Sequence, residues 1–429
     1  MKKTLCFILY FGLLLSLKAQ TLSLEECQEL ARENYPAIRQ KAFIDQTSQF
    51  TISNAKHNWL PQVSVAAQAT YQSDVITFPD EVNNLFEMMG MEFEGLRKDQ
   101  YKAAIQVEQV IWGGGAVKAR VEMARAENEA NLHGWEVEMY TLRERVNQLY
   151  FGALLLQEKI MEADLLIEEL NRNLRLVQSY VENGIAGKND LDQLRVELLS
   201  AGQQKSELTA NREAYIMMLG IMINRELTGN TDLVKPELST ENPDLPNNRP
   251  ELKYFEAQAQ MISATRRAIN AQIKPQIGAF FQGAYGNPGL DLFENMQKNQ
   301  WSPYFITGVK FSWNIAGFYN RKNQLSQLDL NRSQLSLQRE TFLYNTNLQS
   351  TRMRTAIRNM QEVMREDDEI IDLRTTIRKR TEAGVENGTM SVSDLLRDIN
   401  AEKLARQNKI TREIELLKNI YDLKYTTNN

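Results

Sequence analysis

The chain has 429 residues, 50 basic against 55 acidic, with two histidines and two cysteines. A net charge of −5 without a cluster of Lys and Arg excludes nucleic acid as a partner, because phosphate binding needs a concentrated basic surface. Two cysteines, one of them at position 6, exclude a disulfide framework, and no Gly-rich phosphate loop, nucleophile elbow or zinc-ligand spacing occurs. No enzyme, cofactor or metal is expected.

Residues 1–19 read as a secretory signal: Lys2 and Lys3, an apolar run from Leu5 to Leu17, then small residues around Leu17-Lys18-Ala19. The run is too short for a membrane-spanning helix, which needs roughly 20 apolar residues, and no later segment approaches that length. An exported protein without a helical anchor is expected. Removing Lys2, Lys3 and Lys18 leaves 47 basic against 55 acidic residues. Cys27 then stands alone in a helix-like stretch and reads as a buried thiol.

An opening helix is predicted over residues 22–57, with Ser23 as N-cap and Glu26 three residues on. Pro61 stops it, since proline has no N–H to give. Val63, Val65, Ala67, Ala69 and Tyr71 then alternate with polar residues, a period of two that marks a strand. A longer loop follows, in which Met88, Met89 and Met91 cluster; thioethers suit copper(I), but an apolar loop explains them as well. Tyr101, Ala103, Ile105 and Val107 make the returning strand. From Leu142 to Val181 apolar residues recur at alternating four and three, a coiled-coil seam. A helix from about 115 to 182, at ~1.5 Å per residue, would reach ~100 Å. Asn183-Gly184-Ile185 turns the chain, since glycine accepts the positive φ that ends a helix, and Asn189 or Asp190 can cap the return.

The plan then repeats. Asn34-Tyr35-Pro36 recurs as Asn248-Arg249-Pro250, and Leu60-Pro61-Gln62-Val63 as Lys274-Pro275-Gln276-Ile277, both at an offset of 214. The offset falls to 204 for Ile111-Trp112-Gly113 and Ile315-Ala316-Gly317, which places a ten-residue difference in the loop between 72 and 100. Val181-Glu182-Asn183-Gly184 returns letter for letter as Val385-Glu386-Asn387-Gly388, and Asp190-Leu191 as Asp394-Leu395. The first repeat spans 20–230, a Pro-rich linker 231–248, and the second repeat 249–429. In the second, Ile277, Phe281 and Tyr285, then Phe305, Val309, Phe311 and Trp313, line one face of two strands. A second long helix is predicted from 317 to 386, its seam decaying at Asp367 and Arg374, with Arg365-Glu366-Asp367-Asp368-Glu369 as a solvated face. Ser391 or Ser393 can cap the last helix.

Strands of about ten residues are what a tilted membrane strand requires. Each such strand alone suits half of a soluble sandwich as well; as membrane strands, their lipid-facing positions are Val63, Val65, Tyr71, Ile105, Ile277, Phe281, Tyr285, Phe305, Val309 and Phe311. Four such strands cannot close a barrel, and an open edge in lipid leaves backbone groups unpaired at several kcal/mol each. Other copies must complete it, and three give twelve strands. The expected fold class is mainly α with membrane β: a two-fold internal repeat, long coiled-coil helices forming an α-barrel, and four strands per chain in a trimeric barrel.

Leu22-Ser23-Leu24-Glu25-Glu26, Ala31 and Asn34-Tyr35-Pro36 resemble the opening of the TolC family of outer-membrane efflux factors. The proline before each first strand, the step Trp112-Gly113-Gly114-Gly115, Met218-Leu219-Gly220 and both Gly…Asp-Leu tips are similar to that family too. The resemblance implies a homotrimeric exit duct in outer-membrane lipid, linked by a periplasmic adaptor to an inner-membrane transporter. It implies that the tips (Asn183, Gly184, Ile185, Asp190; Asn387, Gly388, Thr389, Asp394) meet the adaptor. Relatives carry a tyrosine before the second-tip glycine, an arginine after it and two constricting aspartates. Here only Asp394 matches; Val385, Met390 and Arg397 stand at the other three positions. A pore gate of Met390, Asp394 and Arg397, with mixed charge, is the expectation. The competing reading is a periplasmic coiled-coil adaptor or scaffold, which two matched hairpins and four amphipathic strands disfavour.

Overall fold

The structure, a computed structural model, describes residues 21–93, 95–184, 186–237 and 247–428. The secretory signal, Ile185 and part of the 231–248 linker lie outside the described residues.

The chain begins with a two-residue strand β1 (Thr21–Leu22) and helix α1 (Leu24–Asn34), capped by Ser23, whose hydroxyl accepts from Glu26 N–H at 3.1 Å. The opening helix is not continuous to residue 57. Tyr35 is extended (ψ 131°), a 3-10 turn covers Pro36–Arg39, and α2 runs Gln40–His57. Pro36 is the cause: its ring disfavours the helical conformation of the residue before it, and it has no N–H to continue the ladder.

Strand β2 (Gln62–Tyr71), short helix α3 (Asp80–Met88), strand β3 (Asp99–Trp112) and helix α4 (Ala116–Glu182) follow. Then come α5 (Lys188–Ile223), strand β4 (Asp232–Leu233), α6 (Pro250–Gln272), β5 (Gln276–Asn287), short helix α7 (Leu292–Lys298) and β6 (Ser302–Ser312). Three helices close the chain: α8 (Gly317–Met364), α9 (Asp367–Glu386) and α10 (Val392–Thr427). The duplication is realised residue for residue in α5 and α10. Each has 36 residues, and they end at Asn224 and Asn428, left-handed caps with φ of 53° and 55°. Helices α3 and α7 inside the strand hairpins were not anticipated.

The second long helix does not run unbroken from 317 to 386. After Met364, Arg365 and Glu366 donate to the carbonyls of Glu362 and Val363, a tighter i to i−3 pattern, before α9 starts. Asp367 is 3% exposed and ion-paired to Arg412, where the first repeat has buried Ala163. A carboxylate cannot occupy an apolar seam without a charged partner, and the seam yields there. The acidic run is therefore not a solvated face throughout: Asp367 holds Arg412 and Asp368 holds Lys409.

The chain divides into two compact units, each drawing on both repeats. One comprises the residues up to Lys41, Gly134–Lys253 and those from Arg339 onward; the other is Ala42–His133 with Tyr254–Gln338. The first is helical, with two apolar cores. Leu22, Leu24 and Cys27 pack with Tyr150, Leu154, Ile216 and Ile414 in one. There the Tyr150 hydroxyl reaches the carbonyls of Leu22 (2.7 Å) and Val234 (2.6 Å), joining the ends of the parallel β1–β4 pair. Cys27 is fully buried with its thiol free, as expected, and burial, with the Glu26 charge adding, pushes that thiol up to about 12. Val177, Leu194, Val385, Leu395 and Ile399 form the second core. The other unit contains the antiparallel sheet, in the order β2-β3-β5-β6.

Candidate functional site: sheet faces and hairpin tips

Directly opposed residues in an antiparallel sheet lie on the same face. The register sets Val65 against Ile105, Val107 against Phe281, Ala103 against Tyr285, and Phe281 against Thr307. Ile277 faces Phe311, Ala279 faces Val309, and Gly283 faces Phe305. Val63, Val65, Tyr71, Ile105, Ile277, Phe281, Tyr285, Phe305, Val309 and Phe311 thus share one predominantly apolar face, on which Gln109 and Thr307 are polar. All ten are exposed in the single chain, from 37% at Ile277 to 79% at Tyr71.

The opposite face is polar. Gln62, Ser64, Gln68, Lys102, Gln106, Glu108, Gln282 and Lys310 lie on it by the same register. Its charges are largely matched within the sheet: Lys310 sits 3.6 Å from Glu108, and Lys102 donates to Gln282 at 3.4 Å while lying over the Tyr304 ring. One apolar and one polar face is the pattern of a membrane barrel wall.

Tryptophan marks both ends of this wall. Trp59, Trp112 and Trp313 sit at one end; Trp301 sits at the other, stacked on Tyr101 (5.8 Å) and Tyr285 (5.4 Å). All four are about half exposed, between 46% and 50%. Aromatic rings at these depths anchor a protein to the two interfaces of a bilayer. Trp112 reaches the apolar face because a register shift between Val110 and Trp112 reverses the alternation, pairing it with Ile277. This girdle was missed from the sequence. The signal was available: four of the five tryptophans flank strands.

In the helical unit the two tips begin alike. Asn183 and Asn387 each donate a side-chain hydrogen bond of 2.8 Å to the carbonyl four residues back, Ser179 and Ala383. Gly184 and Gly388 follow at φ 71° and 69°. On the return, Gly187 caps α5, and its N–H donates to the Asp190 carboxylate at 3.0 Å. At the second tip Ser391 forms a full capping box: its hydroxyl accepts from Asp394 N–H (3.1 Å), and the Asp394 carboxylate accepts from the Ser391 N–H (3.3 Å) and hydroxyl (2.6 Å). Thr389 N–H and hydroxyl both donate to the Gly384 carbonyl, at 2.8 and 3.0 Å.

Of the expected gate residues, Asp394 and Arg397 are brought together at 3.1 Å, and Arg397 also approaches Asp398 at 3.8 Å. The Ser391 hydroxyl and N–H, with the Arg397 charge adding, hold the Asp394 carboxyl below the usual range. Met390, in the turn, folds back onto the end of α9, packing so closely on Gly384 that a Cβ there would lie 2.7 Å from its Cγ and Sδ. Met88 and Met89 are exposed on α3 and its cap, while Phe78, Phe86 and Phe93 bind that loop together at 4.9–5.4 Å. Among the described residues no group of His, Cys, Asp and Glu is placed to hold a metal.

A sheet with one apolar and one polar face, carried in the same chain as paired helical hairpins, has the features expected of an outer-membrane channel protein. Residues 28–215 match the family model described as outer membrane efflux protein. The fold is similar to the outer membrane protein VceC of Vibrio cholerae at 12% identity and TM-score 0.71, covering 94% of this chain and 95% of that one. It is similar to the Campylobacter jejuni CmeC outer membrane channel at 14% identity and TM-score 0.69, covering 94% and 85%. A third likeness is the open state of the Neisseria gonorrhoeae MtrE outer membrane channel, at 14% identity and TM-score 0.65, covering 94% and 88%. Nothing among the curated proteins matches the chain. The family match thus extends over residues 28–215, and the fold of the chain is that of solved outer membrane channels.

Proposed function

We propose that three copies of this chain close a twelve-stranded barrel in the outer membrane and an α-barrel in the periplasm. The trimer passes substrates from an inner-membrane pump and periplasmic adaptor to the outside. The observation that carries this reading is the four-stranded sheet with β2 and β6 unpaired at its edges and one predominantly apolar face. In lipid each unpaired edge group costs several kcal/mol, so the edges of one copy meet those of the next. An exposed stripe on α8 supports the same closure: Leu330, Leu337 and Tyr344, seven residues apart, are 62–70% exposed and form a seam in want of a helix.

On this reading the apolar sheet face meets lipid, the polar face lines the bore, and the tips at Gly184 and Gly388 dock the adaptor. Met390, Asp394 and Arg397 form the periplasmic gate, and residues 1–19 are removed on export. Light scattering of the detergent-extracted complex, corrected for bound detergent, tests the assembly. A mass near three protomers supports it; a monomer sinks it.

A further inference from the structure

The duplication provides an internal comparison for every layer of the hairpins. In the first, Val177 and Leu194 lie in the apolar core, both fully buried. Their counterparts at offset 204 are Thr381 and Asp398, joined by a 2.7 Å hydrogen bond. One turn further from the tip, the positions of Leu174 and Leu198 become Arg378 and Glu402, 2.7 Å apart. The leucines establish that a hairpin of this geometry needs no charge there. A buried ion pair pays a desolvation cost that two leucines avoid, so its presence calls for a role leucine cannot fill.

Arg378 is the hub. Besides Glu402 on α10 it reaches Glu382 on its own helix at 3.0 Å and crosses to Glu169 on α4 at 2.6 Å. The two outer carboxylates are held differently. Glu402 accepts from Thr375 (2.8 Å), Arg378 (2.7 Å) and twice from Arg406 (2.8 and 3.1 Å). Burial raises its carboxyl, but the donors from Arg406, Thr375 and Arg378 outweigh that and leave it lowered. Glu169 has no aligned hydrogen bond on the oxygen nearest Arg378, so charge alone holds it. Burial pushes its carboxyl up, Arg378 offsets only part, and the Glu402 and Glu382 charges add to the rise. Glu162, two turns earlier on α4, is raised by burial too, with Arg406 opposing and Glu402 and Glu158 reinforcing. Glu168, Arg172 and Lys403 complete the charged lining of this cleft of about 210 Å³.

We propose that Arg378 is a positioning residue that ties the α9–α10 hairpin to α4 through Glu169, and that acid releases this tie while the hairpin itself stays intact. The inference rests on the conduit reading. As pH falls, Glu169 takes up its proton first and loses the attraction that holds it. Glu402 stays ionised and keeps α9 on α10. The hairpin then moves as one body, and the conduit widens at its periplasmic end.

The test is single-channel conductance of the full-length protein in planar bilayers, at neutral pH and at about pH 5, for the unaltered chain, Glu169→Gln and Arg378→Leu/Glu402→Leu. Conductance of the unaltered protein should rise several-fold in acid. Glu169→Gln should show the raised conductance already at neutral pH, with no further response. The double leucine variant, which installs the first hairpin's own layer on α9 and α10, should still melt cooperatively, and, with the cation facing Glu169 gone, behave like Glu169→Gln. A Glu169→Gln profile that coincides with the unaltered one overturns the tie. If the unaltered protein forms no channel at either pH, the conduit reading fails and takes this inference with it.

Discussion

The Lys205 ammonium lies 2.5 Å from the Asp164 carboxylate, bridging α5 and α4. At the matched positions of the second repeat, 204 residues on, Lys409 pairs with Asp368. The pair survives although α4 is continuous at this level and the second long helix is broken beside it. Lys205 and Asp164 are 39% and 49% exposed, so solvent screens them and their coupling in a double-mutant cycle should be small, about 0.2–1 kcal/mol. A coupling near zero in both repeats would make the pair a relic of duplication only.

The buried Thr381–Asp398 bond should behave differently. Thr381→Val removes the donor and leaves the buried Asp398 oxygen unpaired, which costs about 1–3 kcal/mol. Thr381→Val/Asp398→Leu, which copies the Val177–Leu194 layer, should recover most of that loss. Denaturant melts of the unaltered protein and the two variants decide the point, and a double variant weaker than the single one would count against it.

Adjacent residues on opposite sheet faces test the wall. Phe281→Arg places a charge on the apolar face in mid-strand, where it costs about 2–4 kcal/mol in a bilayer, and should abolish outer-membrane assembly. Gln282→Arg, on the polar face, should assemble normally. Heat-modifiable mobility of the extracted trimer reads both out.

The Asp394 carboxyl is lowered by its bonds to Ser391 and the Arg397 charge. Its contribution to the α10 N-terminus is therefore present above the unfolded aspartate pKa of about 3.9 and lost as pH falls through the lowered native value. Ser391→Ala should remove most of that acid dependence in tip-resolved hydrogen exchange. Arg397→Ala leaves the Asp394 charge unmatched and should raise cation selectivity in a salt-gradient reversal potential.

Cys27 is fully buried, and its thiol is pushed up to about 12. A thiolate is the reactive species, so a maleimide should label the native protein negligibly at neutral pH and label it fully once unfolded. Native labelling at a rate typical of free thiols would contradict the packing around Leu22 and Tyr150.

The strand faces and tips were legible because each rests on a local rule. Period two assigned Val63, Phe281 and Val309 to one side, and the repeated Val-Glu-Asn-Gly located both turns. What was hidden depends on partners distant in the chain. Asp367 reads as solvated until Arg412, 45 residues on, is brought beside it. Arg378, Glu402 and Glu169 look like ordinary surface charges on three helices until the helices pack. The break at Tyr35 belongs to another kind: Pro36 announced it, but the apolar pattern on either side invited a single helix.

The equal lengths of α5 and α10 have a consequence for symmetry. In the proposed three-fold assembly the six hairpin ends would be of two alternating kinds, one begun by Gly187 and the other by the Ser391–Asp394 box. A partner built with true six-fold symmetry would meet two unlike footholds in turn, so identical subunits of that partner would occupy unequal positions.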